Sequence, residues 1–481
     1  MNQQQSPVYH IAMTEHKLIV AGKRLGTGNL LPSTDWQGRE TGRVHFAGET
    51  EINDALAAAQ GYFREFATTP AHERQSVLFN AARLLREKSE DFARMIAMEV
   101  YKPIKIARGE VARAAKTFEL AASALEEGMG EMIRLDTFPG HPHKLGLARL
   151  FPKGPVLAIS PFNFPLNLAI HKIAPAIAVG APVILKPTSS APITGLMIGE
   201  LLLEAGLPEP AISVLPTRAA LAEKMAMDER IKVVSFTGSD EIGWRLKSLL
   251  PRKTVMLELG GNAGVIVHED ADAAHAAERC VAGAFSYSGQ VCISVQRILV
   301  HEKLRKEFLE TFREKSASLR IGDPLDEETG IGPMITEADS ARVEEWVAEA
   351  VSGGGKILFG GKRDGAFYEP TLVENCPRTA RLWKDEAFGP VATFGTYRDF
   401  DQALEAVNDS RFGLQAGVFT SDVNLAMRAF ETIETGGVIL NDVPTFRVDR
   451  MPYGGVKDSG MGREGPHYAM AEMCELRLLV I

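Results

Sequence analysis

Two short segments in the second half of the chain carry side chains that can make and break a covalent bond. In LELGGN, Glu258 stands between leucines and just ahead of two glycines, and in SGQVCIS, Cys292 follows Ser288, Gly289 and Gln290. A thiol nucleophile with a separate carboxylate that activates water is the minimum equipment for forming a thioester and then hydrolysing it. The glycines beside both residues let substrate and cofactor approach the backbone closely. Glu258 lies in the largely apolar run VMLELGG, where desolvation would raise its pKa toward the range that suits a general base. The other three cysteines read as small hydrophobes or loop residues. Cys280 is in an Ala-rich helical stretch, Cys474 in a C-terminal strand pattern, and Cys376 precedes a proline.

These residues must be held by a framework, and its texture is visible. After a polar arm, HKLIVAGKRL starts a hairpin, and Ala-rich segments from Glu51 to Met129 place Leu, Phe and Ile at helical spacing. Then LARLFPKGPVLAISPF gives short apolar strands. Helix NLAIHKIAPAIAVG, strand PVILKP, helix TGLMIGELLLEAG and strands AISVLP and KVVSFTG follow. Apolar strands alternating with helices predict a parallel sheet covered on both faces. A second such block runs from near Thr254 to about Asn441, with strands NAGVIVHE, RILVHE and GGVIL and helices around Ala273–Ser286 and Arg305–Ser318. Two α/β domains with a site between them are expected. MIRLDTFPGHPHKLGLARLF reads as two strands about a Pro/Gly turn, and CELRLLVI as a β-rich tail without an obvious partner in its own domain.

At 481 residues the chain exceeds one ordinary core. A formal charge of −9 argues against a nucleic-acid partner. Four cysteines without metal-ligand spacing point to reduced thiols. MNQQQSPVYH has no basic region followed by an apolar one, and no apolar stretch is long enough to span a bilayer. A cytoplasmic protein with no membrane partner is expected. GMGREG at 460–465 satisfies the G-x-G-x-x-G pattern, but it follows a loop, and the chain ends before an acidic residue at the usual distance. SGGGK at 352–356 reads as a helix end and turn.

LELGGN and SGQVCIS, together with ISPFNFPLN, FTGS and DEAFGP, resemble the aldehyde dehydrogenase superfamily from about Val20 to the last residue. The resemblance implies an α/β fold of two Rossmann-like parallel-sheet domains with a small β oligomerisation unit. Residues 1–132 and 155–257 would bind cofactor and 258–452 would be catalytic. The hairpin 133–154 and tail 466–481 would make a homodimer or homotetramer. It also implies a small-molecule aldehyde as substrate and oxidation to the acid through a cysteine thiohemiacetal and thioester. Cys292 would attack, and Glu258 would activate the deacylating water. The Asn163 amide would meet the oxyanion beside the Cys292 backbone N–H, where each such donor is worth about 3 kcal/mol. No metal is called for. Cofactor contacts are implied for Ser160, Pro161, Phe162, Lys186, Ser189, Gly238, Ser239, Leu259, Glu386 and Phe388. Many NAD-preferring relatives have Glu where Ser189 stands. Its absence removes a repulsion and leaves Lys186 free to pair with a phosphate. NAD or NADP is therefore expected, with NADP accepted and preference for it an open alternative.

The substrate is less sharply specified. Phe164 and Gln290 flank the catalytic segments. Arg108, in YKPIKIARGE, lies on the helix that flanks the tunnel in similar enzymes, and Arg447 in a loop near its mouth. Two converging arginines would clamp a carboxylate, phosphate or phosphonate. Lys102 and Lys105 read as a solvated basic stripe. Val291 weighs against an anion, because several relatives that handle phosphorylated or dicarboxylic aldehydes carry Arg there. Lactaldehyde, glyceraldehyde 3-phosphate and succinic semialdehyde all stay open. A coenzyme-A-acylating enzyme and a catalytically silent cofactor-binding homologue are the alternatives. Glu258 argues against the first, and retention of both Cys292 and Glu258 against the second.

Overall fold

The computed structural model describes residues 14–128, 130–137, 139–141 and 143–481. Most of the N-terminal polar arm lies outside them. Short strand segments such as VLAI at 156–159, VVSFT at 233–237 and AGVIV at 263–267 are buried at every position. Such runs find their place only in the interior of a sheet covered on both faces. Two sheets result. The first has eight strands, with the five central ones, Thr254–Glu258, Val233–Thr237, Val156–Ile159, Val183–Lys186 and Ile212–Val214, mutually parallel in that order. Antiparallel edges are added by Gly460–Met461 on one side and by the hairpin Leu18–Val20 and Lys23–Leu25 on the other. The second has seven strands, six of them parallel, with Ala263–Val267 and Val295–His301 near its centre.

Four helices, Glu49–Thr68, Ala71–Glu87, Ser89–Val100 and Ile104–Ala124, fill the stretch read as amphipathic. The helix Asn167–Val179 is buried on every side, as an all-round apolar helix must be. GMGREG takes no nucleotide-loop form. Its Gly460–Met461 is the edge strand beside Leu257 and Glu258. SGGGK follows the end of helix Glu337–Ser352.

The tail finds its partner in the hairpin strand with which the resemblance grouped it. Cys474–Val480 pairs antiparallel with Leu145–Pro152 over its whole length, and Gly130–Arg134 completes a three-stranded sheet. The partner strand was hidden by distance, because more than 300 residues separate the two in sequence. Its apolar side chains at Leu476, Leu478, Leu479, Val480 and Ile481 remain exposed.

Candidate active site

Cys292 owes its position to an unusual turn. Tyr287, Ser288 and Gly289 all take left-handed backbone angles, with φ of 51°, 54° and 68°. For residues with a Cβ this costs about 1–3 kcal/mol each, so other contacts must hold them. Tyr287 Oη donates to Val100 O at 2.7 Å and Ser288 Oγ to Gly332 O at 2.7 Å. At position 289 only glycine fits, since a Cβ would lie 2.0 Å from the Gly389 carbonyl oxygen. Gln290, expected to touch substrate, is fully buried as a brace, and its Oε1 accepts from Ile335 N at 2.9 Å. Its polar end is consumed by backbone, and it does not line the cavity.

That cavity, about 370 Å³, is lined by Cys292, Val291, Phe164, Arg113, Arg447 and Tyr453 among others. The Cys292 sulfur lies 3.1 Å from Tyr453 Oη. Burial pushes the thiol up to about 12, Tyr453 and Arg447 work against that rise, and the carboxyls of Glu386 and Glu258 add to it.

Glu258 ends the strand Thr254–Glu258, buried, with one carboxyl oxygen unpartnered. Burial, then repulsion from Glu464, raises its pKa well above the carboxylate range, against the pull of Arg447, Lys172 and Arg463. Glu464 behaves oppositely. Burial opposes its charge, but Lys172 Nζ at 2.9 Å and Arg447 Nη2 at 2.8 Å outweigh it and hold the carboxyl low. Lys172 Nζ also donates to Thr237 Oγ1 at 2.6 Å.

Asn163 is buried in the loop before helix Asn167–Val179, with its Oδ1 unpartnered. Glu110 fixes this loop by accepting from Leu166 N at 2.9 Å and Asn167 N at 3.1 Å. The other Glu110 oxygen pairs with Lys102, whose ammonium also sits 3.8 Å from the centre of the Phe164 ring. Lys102, read as solvated, is thus wholly buried. It precedes the helix, in a segment packed beneath the loop, so helical spacing did not govern it.

Arg108 also departs from expectation. It is bonded to Glu90 and Glu327 at the surface, and it is not part of the cavity wall. Ile106, Gly109, Glu110 and Arg113 form the stripe that faces the cavity, and Arg108 falls on another side of the same helix. Arg113 takes the place expected for Arg108. It is bidentate to Asp449, at 3.0 and 2.7 Å, and His171 Nε2 is 2.9 Å from the same carboxylate. Arg447, expected near the mouth, lines the same cavity with its side chain almost wholly buried. Its guanidinium lies 3.7 Å from the centre of the Tyr453 ring, and its Nε makes no hydrogen bond among the described residues, lying 3.9 Å from Asp449. Arg113, Tyr453, Lys172 and Glu464 were missed. Glu464 was within reach, since it belongs to the dismissed GMGREG, but only the edge strand reveals that it faces Glu258.

A second group of residues fits a dinucleotide. Lys186 ends its strand, its pKa pushed down to about 8 by burial, and makes no ion pair among the described residues. Ser189 stands exposed in the following turn. Gly238 and Ser239 open the ten-residue helix Asp240–Leu249, and Ser239 makes no capping hydrogen bond, so the amide groups of that terminus are available to an anion. Ser160 Oγ is buried without a partner beside Pro161. Glu386 accepts from Gly261 N at 2.8 Å, its pKa pushed up to about 8, chiefly by burial. Phe388, itself left-handed at φ 45°, packs edge-on against Phe162. Leu259 N is tied to Ser459 O at 3.0 Å. An unpaired lysine, an uncapped helix start and an orphaned hydroxyl suit a phosphate-bearing cofactor.

Residues 31–479 match the Aldehyde dehydrogenase family. The chain is 44% identical over 439 residues to a 3-sulfolactaldehyde dehydrogenase of Priestia megaterium, covering 91% of this chain and 92% of that protein. It is 39% identical over 436 residues to a lactaldehyde dehydrogenase of Methanocaldococcus jannaschii, covering 90% and 92%. Among solved structures, aldehyde dehydrogenase 21 of Physcomitrella patens, in complex with the reaction product succinate, superposes with a TM-score of 0.95 at 44% identity over 97% of this chain and 98% of that one. Glyceraldehyde-3-phosphate dehydrogenase GapN of Methanocaldococcus jannaschii, complexed with NADP, gives 0.89 at 37% identity over 94% and 98%. The chain belongs to the aldehyde dehydrogenase family and is an NAD(P)-dependent oxidoreductase that converts an aldehyde to its carboxylic acid.

Proposed function

We propose that Cys292 is the nucleophile, Glu258 the base for deacylation and Asn163 the oxyanion donor, acting on a short aldehyde that carries a second, anionic group. Bound NAD or NADP supplies the hydride acceptor. The sulfur attacks the carbonyl carbon, and the Asn163 Nδ2–H donates to the oxygen that gains charge. Once the adduct stands as a thioester, Glu258 draws a proton from water. A carboxylate with a raised pKa is a stronger base in its ionised form.

One observation carries the substrate class. Arg113 and Arg447 both line the cavity that holds Cys292. With Lys172 behind them they make three cations, facing two carboxylates held ionised, Asp449 and Glu464. Arg113 and Arg447 thus bring positive charge to the cavity wall, where Glu110 is already paired with Lys102. The sulfolactaldehyde relative and the succinate-bound neighbour have names that fit such a pocket. Lys186 and Ser189, with no acidic side chain between them, support acceptance of NADP. The exposed apolar tail sheet supports assembly with further copies of the chain.

The test is Glu258→Gln mixed with NADP and a panel of aldehydes. An acyl adduct should accumulate on Cys292, seen as a mass increase on its peptide, and unchanged steady-state turnover would remove Glu258 as base. For the substrate class, Arg113→Met should raise KM for succinic semialdehyde about ten- to a hundredfold, the worth of one charge-assisted hydrogen bond. Propionaldehyde should be spared. Equal losses for both aldehydes would sink the anionic reading.

A further inference from the structure

Cys292 must ionise to attack, yet no histidine stands within hydrogen-bond reach of its sulfur among the described residues. Its surroundings oppose ionisation. Burial is the largest influence, and the carboxyls of Glu386 and Glu258 face the same sulfur. Glu110 and Arg113 stand on the cavity wall, and Lys172 and Glu464 lie behind Glu258. Arg447 favours the ionised sulfur, and its guanidinium is stacked on the Tyr453 ring and bonded to Glu464.

We propose that Tyr453 is a positioning and activating residue whose hydroxyl donates a hydrogen bond to the Cys292 sulfur and holds it as the thiolate, with Arg447 on the ring face strengthening that donor. The proposal rests on Cys292 being the nucleophile. Its geometry is direct, since the hydroxyl and the sulfur are 3.1 Å apart. Tyr453 keeps its proton. Burial and the neighbouring sulfur raise its pKa well above the usual phenol range, so in the ionised pair the tyrosine is the donor and the sulfur the acceptor. The thiol proton leaves to water in the cavity.

Two features hold the donor in place. Tyr453 and Glu464 exchange both backbone hydrogen bonds, at 3.1 and 2.6 Å, which fixes the main chain at this point. The Arg447 guanidinium lies 3.7 Å from the ring centre, drawing electron density from the ring and making the hydroxyl a better donor. Hydrogen bonds to charged groups are the stronger kind, and one such bond corresponds to a shift of about one to two pH units in the sulfur's titration.

The test is the pH dependence of Cys292 alkylation by iodoacetamide in cofactor-free enzyme, followed as label on the Cys292 peptide. In Tyr453→Phe the midpoint should rise by about one to two units, with labelling near neutral pH slowed about ten- to a hundredfold and the alkaline plateau kept. Site-specific 3-fluorotyrosine at position 453, a more acidic phenol of nearly the same shape, should move the midpoint the other way. Opposed shifts from the two replacements cannot come from altered packing alone. Coincident midpoints in wild type and Tyr453→Phe, or shifts of the same sign for both replacements, would overturn the proposal. The reading beneath it is checked separately by Cys292→Ala. If that variant keeps turnover, Cys292 is not the nucleophile, whatever the titration shows.

Discussion

At the scale of single residues, the two buried glutamates act through each other. Glu464 is pinned ionised by Lys172 and Arg447, and its charge is the second cause, after burial, of the high pKa of Glu258. The pair therefore titrates as a unit. The sign of the coupling gives a prediction. Activity that needs ionised Glu258 is present above its pKa and is lost as pH falls through it. Glu464→Gln removes the repulsion and leaves Lys172 and Arg447 to act on Glu258 alone, so its pKa must fall and the acid limb of the kcat profile must move to lower pH. A limb that stays in place or moves to higher pH would show that Glu464 does not govern Glu258. Much of this was legible as identity and not as relation. Cys292, Glu258 and Asn163 stand out by their local segments. Tyr453 and Glu464 do not, because what distinguishes them is a contact with a residue more than 150 positions away.

At the scale of elements, the helix Ile104–Ala124 shows where sequence patterning stops. Its apolar stripe was clear, and so was the presence of several helices. Which arginine faces the cavity depends on the rotation of the helix against its neighbours, and only packing fixes that, turning Arg113 inward and Arg108 to Glu90 and Glu327. The same helix carries Glu110, which ties the Asn163 loop to Lys102. A buried pair broken on one side leaves an uncompensated charge, at a cost of about 3–5 kcal/mol. Lys102→Met should therefore lower the urea midpoint markedly, with slower turnover as the loop loses its anchor. Arg108→Met, which removes only surface pairs worth about 0–1 kcal/mol, should leave both midpoint and KM unchanged. If Lys102→Met unfolds at the wild-type midpoint, the pair is not structural support.

At the scale of the whole molecule, the three-stranded sheet made by Gly130–Arg134, Leu145–Pro152 and Cys474–Val480 stands apart from the two large sheets. Its outer strand offers unpaired backbone groups and bears five exposed apolar residues, Leu476, Leu478, Leu479, Val480 and Ile481. Such an edge invites pairing with another chain. Beside the seven-stranded sheet, the helix Val423–Thr432 presents Val423, Met427 and Phe430 to the outside, each at least half exposed. Apolar area buried at an interface stabilises by roughly 25 cal/mol per Å², so leaving two such surfaces wet is costly. The further copies of the chain proposed above would cover such surface. Replacing Leu478 and Val480 together by Asp should convert the assembly to monomer in sedimentation velocity, with Cys292 still alkylated at the wild-type rate if the fold survives. Phe430→Asp should weaken association in the same assay if its helix belongs to the interface. A wild-type chain that sediments as a monomer would show that these strands and this helix serve some other purpose.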